Sequence, residues 1–109
     1  MNDISVVLAT YNENENIKGI IKEIKSNVKN LKEIIVVDDN SPDGTWKVVK
    51  NLKDKIVRLI RRINERGLAS ALTKGFSESK GDIICWLDSD LYNCSKTLDK
   101  MTDILKKNK

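Results

Sequence analysis

Histidine is absent from this chain of 109 residues, and proline occurs once. Without an imidazole there is no Ser-His-Asp or Cys-His nucleophilic machinery and no ordinary zinc site. The two cysteines, Cys85 and Cys94, do not make the CxxC spacing of a redox or metal pair. Cys85 sits inside an apolar run and reads as a small core residue, whereas Cys94 falls in a predicted loop. Aromatic residues are only 5% of the chain and no basic cluster is interleaved with them, which argues against nucleic acid as a partner. Long apolar runs are missing too: the longest, 34–37 and 83–87, are strand-sized and far short of a membrane span. The opening Met1-Asn2-Asp3-Ile4 lacks the basic and apolar regions of a signal peptide, so a cytoplasmic location is expected. Chemistry here must rest on carboxylates, hydroxyls, backbone amides, Lys or Arg, and a hard metal.

What is present fits one soluble domain spanning residues 1–109. Hydrophobic residues make up 39% and charged residues 33%. Twenty basic residues against 16 acidic ones leave a net charge of +4. The excess is spread through the predicted helices and a tail, Lys106-Lys107-Asn108-Lys109. A solvated surface is the simplest account; attraction to anionic substrates or to an anionic membrane face is the functional alternative.

Strand and helix patterns alternate along the whole chain. Ile4-Ser5-Val6-Val7-Leu8-Ala9 is β-branched and apolar, as a strand buried on both faces should be. Asn12 or Asn14 is placed to cap a helix bearing Ile17, Ile20, Ile21, Ile24 and Val28 in one stripe. Glu33-Ile34-Ile35-Val36-Val37 is a second strand, followed by the turn formers Asn40-Ser41-Pro42-Asp43-Gly44. Thr45 then opens a short helix with Val48, Val49 and Leu52. Ile56-Val57-Arg58-Leu59-Ile60 is a third strand, and Leu68, Ala71, Leu72, Gly75 and Phe76 form the next helical stripe, closed by Gly81. Ile83-Ile84-Cys85-Trp86-Leu87 is a fourth, buried strand; Ser95 caps a last helix with Leu98, Met101, Ile104 and Leu105. This β-α-β-α-β-α-β-α order with short links predicts an α/β fold, a doubly wound and mainly parallel sheet.

Three predicted strand ends carry acidic or hydroxyl groups: Thr10-Tyr11-Asn12-Glu13, Asp38-Asp39-Asn40-Ser41 and Asp88-Ser89-Asp90. In a parallel sheet such loops converge on one edge, the edge where ligands bind. Asp88 and Asp90 are two residues apart in an extended segment and so can aim at one spot. Carboxylates brought together repel unless a cation or ligand donors share the site, which favours an oxygen-ligated metal. Each loop has a plainer account: Glu13 as a helix-dipole acid, Asp38 and Asp39 as turn caps, the Asp-x-Asp as solvated surface. Their convergence favours a site. Arg61-Arg62-Ile63-Asn64-Glu65-Arg66-Gly67-Leu68 is the main basic loop, where a guanidinium is suited to diphosphate oxygens and Gly67 to a close backbone approach. There is no G-x-G-x-x-G after the first strand and no P-loop.

Four runs occur in order: Val6-Val7-Leu8-Ala9-Thr10-Tyr11-Asn12-Glu13; Val37-Asp38-Asp39-Asn40-Ser41-Pro42-Asp43-Gly44-Thr45; Arg66-Gly67-Leu68-Ala69-Ser70-Ala71; and Asp88-Ser89-Asp90-Leu91. Together they resemble the nucleotide-binding half of a family-two glycosyltransferase of the GT-A, Rossmann-like fold, nearest to its polyprenyl-phosphate sugar transferases. The resemblance implies a nucleotide-sugar site with Thr10, Tyr11 and Glu13 at the nucleotide and Asp39 at the base. Asp38 would support Asp39 or share its contact, Arg66 and Gly67 would line the pocket, and Ser89 would lie beside the ribose. It also implies Mg²⁺ or Mn²⁺ on Asp88 and Asp90, with Asp90 the catalytic carboxylate. The donor would be a GDP- or UDP-sugar, and the acceptor a polyprenyl or dolichyl phosphate reached from the cytoplasmic membrane face.

The chain also departs from that pattern. Ala9 stands where the family usually has Pro, and Tyr92-Asn93-Cys94-Ser95 replaces the usual Gln-His-Pro-Pro. Family members run well past this length, so the acceptor side has no counterpart here. A separate chain or a homo-oligomer completing the site is one expectation; a nucleotide-binding half that transfers no sugar alone is another. A receiver-type phospho-acceptor domain also places Asp pairs at strand ends, but it needs a different order of Asp and Lys.

Overall fold

The computed structural model of the chain describes residues 3–88. Seven elements follow one another: β1 (Ile4–Thr10), α1 (Ile17–Asn27), β2 (Leu31–Asp38), α2 (Thr45–Leu52), β3 (Val57–Arg61), α3 (Leu68–Glu78) and β4 (Ile83–Asp88). The strands form one sheet in the order β3-β2-β1-β4, and every pairing is parallel. The expected final helix with Leu98, Met101, Ile104 and Leu105, and the loop with Cys94, lie outside the described residues.

The chain winds outward from β1 to β2 and β3, then returns past β1 to place β4 on its other side. Right-handed crossovers therefore put α1 and α2 on one face and α3 on the other. Alternation along the strands separates two cores accordingly. Val6, Leu8, Ile34, Val36, Ile83 and Cys85 pack with Ile17, Ile20, Ile21 and Ile24 of α1 and Val49 of α2. Val7, Ala9, Ile35 and Val37 pack with Ala71 of α3. Each fully buried isoleucine contributes roughly 2 kcal/mol. The apolar stripe of α1 read from the sequence is buried throughout, Val28 included.

Some local expectations are corrected. The residue before α1 is Asn16, and it makes no side-chain cap. Asn12 instead turns the chain at φ 57°, a left-handed conformation that Asn tolerates. Asn14 reaches across to Asp43. The end of α3 is Glu78 with Ser79 as its cap, so Gly81 does not close that helix. Gly81 is required for a different reason: a Cβ there would lie 2.6–2.8 Å from Ser5 Oγ, Ser5 N and Asp3 O. Among the described residues β4 is covered on one face only: Ile83 and Cys85 are buried, but Ile84 and Trp86 are 42% and 49% exposed. Helix α3 packs chiefly over β1 and β2. Leu68 and Phe76, at the margins of the α3 stripe, are exposed as well.

Candidate functional site

All four strands end on one edge, at Thr10, Asp38, Arg61 and Asp88. The order β3-β2-β1-β4 reverses direction at β1, and the crevice outside such a reversal is the ligand position in open parallel sheets. The loops after β1, β2 and β3 meet there and are laced together by side chains.

Asp38 is fully buried and is the hub of the first lacing. Its Oδ1 accepts the Thr10 hydroxyl at 2.6 Å and the Ser41 hydroxyl at 2.7 Å, while Oδ2 accepts the Ser41 N–H at 2.8 Å. Ser41 Oγ in turn accepts the Asn12 N–H at 3.0 Å. Thr10 and Asp38 thus hold the β1 and β2 loops in register from below, facing inward. A second lacing runs through Asp43 and Thr45. The Glu13 N–H donates to Thr45 Oγ1 at 2.8 Å, and Thr45 Oγ1 donates to Asp43 Oδ1 at 2.6 Å. The Asn14 N–H and the Thr45 N–H also donate to Asp43. Burial raises the Asp43 carboxyl, but these hydrogen bonds outweigh it and hold it below the usual carboxylate range. Glu13 is buried before α1 rather than within its first turn, and accepts the Asn16 amide at 3.2 Å.

Asp39 faces the β3–α3 loop. Arg62 Nε donates to its Oδ1 at 2.7 Å and Nη2 to its Oδ2 at 3.0 Å. The Gly67 N–H adds a third bond to Oδ2 at 3.0 Å. Arg62 is itself buried and continues to the Gly67 carbonyl at 3.1 Å and Ser70 Oγ at 2.9 Å. The hydrogen bonds to Asp39 raise the Arg62 pKa; burial opposes this, and the charges of Asp39 and Glu65 reinforce it. Gly67 adopts φ 118° and ψ 144°, a conformation open essentially to glycine alone, and this aims its N–H at Asp39 as α3 begins. Above this clamp, Arg66 Nη2 donates to the Tyr11 hydroxyl at 2.7 Å, and its guanidinium carbon lies 5.0 Å from the ring centre. At the outer end, Arg61 stacks 3.6 Å above the Trp46 ring and donates to Asn40 Oδ1 at 2.9 Å.

The structure therefore gathers Thr10, Tyr11, Glu13, Asp38, Asp39, Arg66 and Gly67 at one edge. Sequence reading assigned the basic loop to diphosphate without choosing among its arginines. In the structure Arg62 is committed to Asp39, and no local pattern distinguishes it from Arg61 beside it. The sequence presents Asp43 as a turn former and Thr45 as the start of a helix, although Ser-Pro-Asp-Gly-Thr already places a carboxylate two residues before a hydroxyl. Asp88 closes β4 opposite Ala9 of β1; Ser89 and Asp90 lie outside the described residues.

Among the described residues no group of three or more His, Cys, Asp or Glu side chains is placed to hold a metal. Asp38 and Asp39 have their oxygens engaged by hydroxyl, amide and guanidinium donors. The β1–β4 register brings the backbone of Asp88 to the reversal edge, and Asp90 follows two residues on in the sequence. Carboxylates offer oxygen donors only, the kind a hard divalent cation takes.

Residues 5–109 match the family described as glycosyl transferase family 2. The chain is 40% identical over 105 residues to dolichol-phosphate mannosyltransferase of Pyrococcus furiosus, covering 94% of this chain and 30% of that protein. It is 38% identical over 109 residues to dolichol-phosphate mannosyltransferase of Saccharomyces cerevisiae, covering 94% of this chain and 41% of that protein. Among solved structures, it is similar to a mannosyltransferase from Pyrobaculum calidifontis in complex with GDP-Man and Mn²⁺. That match has a TM-score of 0.76 and 27% identity, covering 94% of this chain and 33% of the other. The chain thus spans 30% and 41% of the two curated relatives.

Proposed function

Since the chain belongs to glycosyl transferase family 2 and has its GT-A architecture, we propose that this edge is the donor nucleotide-sugar site of a sugar transferase. Asp39 is the observation that carries the reading. It is a carboxyl acceptor held in one orientation by Arg62 and Gly67, at the crevice where an open parallel sheet binds ligands. Oδ1 takes one N–H from Arg62, which leaves acceptor capacity for a nucleobase N–H. Tyr11 and Arg66 stand beside it as an aromatic face and a cation, suited to a nucleoside and its phosphates.

The donor in this reading is GDP-mannose or a UDP-sugar, and the acceptor is a polyprenyl or dolichyl phosphate. The names of the relatives support it. Asp88 and Asp90 would hold Mg²⁺ or Mn²⁺, which when bound would neutralise charge on the leaving diphosphate. The chain's own contribution is to bind and orient: the Asp38 and Asp43 lacings hold the β1 and β2 loops still, so that Asp39, Tyr11 and Glu13 meet the nucleotide already in place. The alternative is nucleotide binding without transfer by these 109 residues alone, which span 30% and 41% of the length of those relatives.

Thermal unfolding with GDP, GDP-mannose, UDP or UDP-glucose, with and without Mn²⁺, tests the proposal. A nucleotide that binds only the folded chain raises its Tm by mass action. Asp39→Ala is expected to abolish the shift, and Asp88→Ala with Asp90→Ala to remove its metal dependence. If no nucleotide raises the Tm, the site is misassigned. Incorporation of labelled sugar into polyprenyl phosphate separates the two readings.

A further inference from the structure

Five lysines that look dispersed along the sequence are gathered by the fold onto one side of the sheet. Helices α1 and α2 share the face opposite α3 and together carry Lys18, Lys22, Lys25, Lys47 and Lys50 against Glu23 alone. Helix α3, on the other face, carries Lys74 balanced by Glu78. All five lysines on the α1–α2 side are exposed. Lys18, Lys22 and Lys25, at i, i+4 and i+7 of α1, line a groove of ≈ 440 Å³ whose floor is Ile21 and Leu52. Lys25 is paired with Asp54 at its lower end, whereas Lys18 and Lys22 have no ion-pair partner among the described residues.

We infer that the α1–α2 face is a docking surface for an anionic lipid bilayer. The inference stands apart from the transferase reading, because it rests on where the charge lies and not on what the edge binds. Ammonium groups on long stems are compact, strongly hydrated point charges; they suit the diffuse field of a headgroup layer rather than the forked recognition of one phosphate. Their stems can lie on the apolar floor while their heads face the lipid. Nucleic acid fits less well. The one aromatic ring beside these lysines, Trp46, is already covered by Arg61 at 3.6 Å and so offers no open platform for a base.

Sedimentation of the full chain with phosphatidylcholine vesicles, with and without phosphatidylglycerol, tests the inference. Binding should require phosphatidylglycerol and fade as salt rises. The pair K18Q and K22Q should lower the partition coefficient about tenfold or more. The charge-matched pair K74Q and K80Q, one on α3 and one just beyond it, should change it less than about twofold, since its lysines lie away from the docking face. Equal loss for both pairs would reduce the effect to net charge and overturn the face assignment. Equal binding to neutral vesicles, or no binding to anionic ones at low salt, would overturn the inference. Retention on heparin that depends on Lys18 and Lys22, without vesicle binding, would make the partner a soluble polyanion instead.

Discussion

Arg62 and Asp39 form a buried forked ion pair, 2.7 and 3.0 Å across its two bonds, that ties the end of β2 to the start of α3. Arg62→Ala would leave the Asp39 carboxylate largely buried without its counter-charge, at a cost of about 3 kcal/mol. Arg62→Lys keeps the charge but loses the fork and the reach to Gly67 and Ser70, so it should recover only part of the loss. Urea unfolding of the three proteins checks this. A lysine variant as stable as the parent would show that charge alone, not the planar fork, holds the site together.

The Thr10–Asp38–Ser41 lacing should behave as a unit. Asp38→Ala leaves two hydroxyls and an N–H without their acceptor and should cost about 2–3 kcal/mol. Ser41→Ala removes one of those donors together with the acceptor for the Asn12 N–H, at about 1 kcal/mol. The double variant should lose clearly less than both effects added, because the second change removes a partner already lost. Strict additivity in denaturant midpoints would mean that the two loops are held by something else.

Gly75 marks the closest approach of α3 to the sheet. A Cβ on it would lie 2.3 Å from Val7 Cγ1, so Gly75→Ala should destabilise by about 2 kcal/mol despite the better helix propensity of alanine. Adding Val7→Ala removes the obstructing methyls, and in that background Gly75→Ala should be neutral or favourable. Thermal melts of the four combinations decide the point.

Glu33 lies at the opposite edge of the sheet. Burial raises its pKa, but hydrogen bonds from Ser5 Oγ, the Lys80 N–H and Arg58, together with the charge of Arg58, outweigh it and leave the carboxyl below the usual range. A carboxyl depressed in the folded state adds stability above its unfolded pKa and loses it as pH falls through the folded value. The parent should therefore exceed Glu33→Gln by about 2 kcal/mol near neutrality, a hydrogen-bonded buried charge being of that worth. The gap should close as pH drops below about 4.3. A gap that stayed constant down to strongly acidic pH would contradict an ionised Glu33.

Much of the fold was legible because hydrophobic periodicity is a local signal. The α1 stripe at Ile17, Ile20, Ile21 and Ile24 could be read from spacing alone, and so could the β1 run that is buried on both faces. The one-sided cover of β4 among the described residues was not legible: Ile84 and Trp86 look like core residues until the fold is known. Caps failed for a related reason. Asn14 has the chemistry of a helix cap, but Asp43, 29 residues away, offers its side chain a better partner.

The site divides along the same line. Residue type and order along the chain were enough to bring Tyr11, Glu13 and Asp39 to one edge, because strand ends in a parallel sheet must converge; the choice of Arg66 within the basic loop came from the family resemblance. Which carboxylate is inward and which faces the loop, Asp38 or Asp39, depends on neighbours that are distant in sequence. Hydroxyls from Thr10 and Ser41 enclose Asp38, whereas a guanidinium from beyond β3 claims Asp39. The gathering of five lysines onto one face follows from crossover handedness, a property of the wound chain that no single segment carries. Local pattern is set by side-chain spacing along a strand or helix; partnership between loops exists only once the sheet has brought them within hydrogen-bond reach.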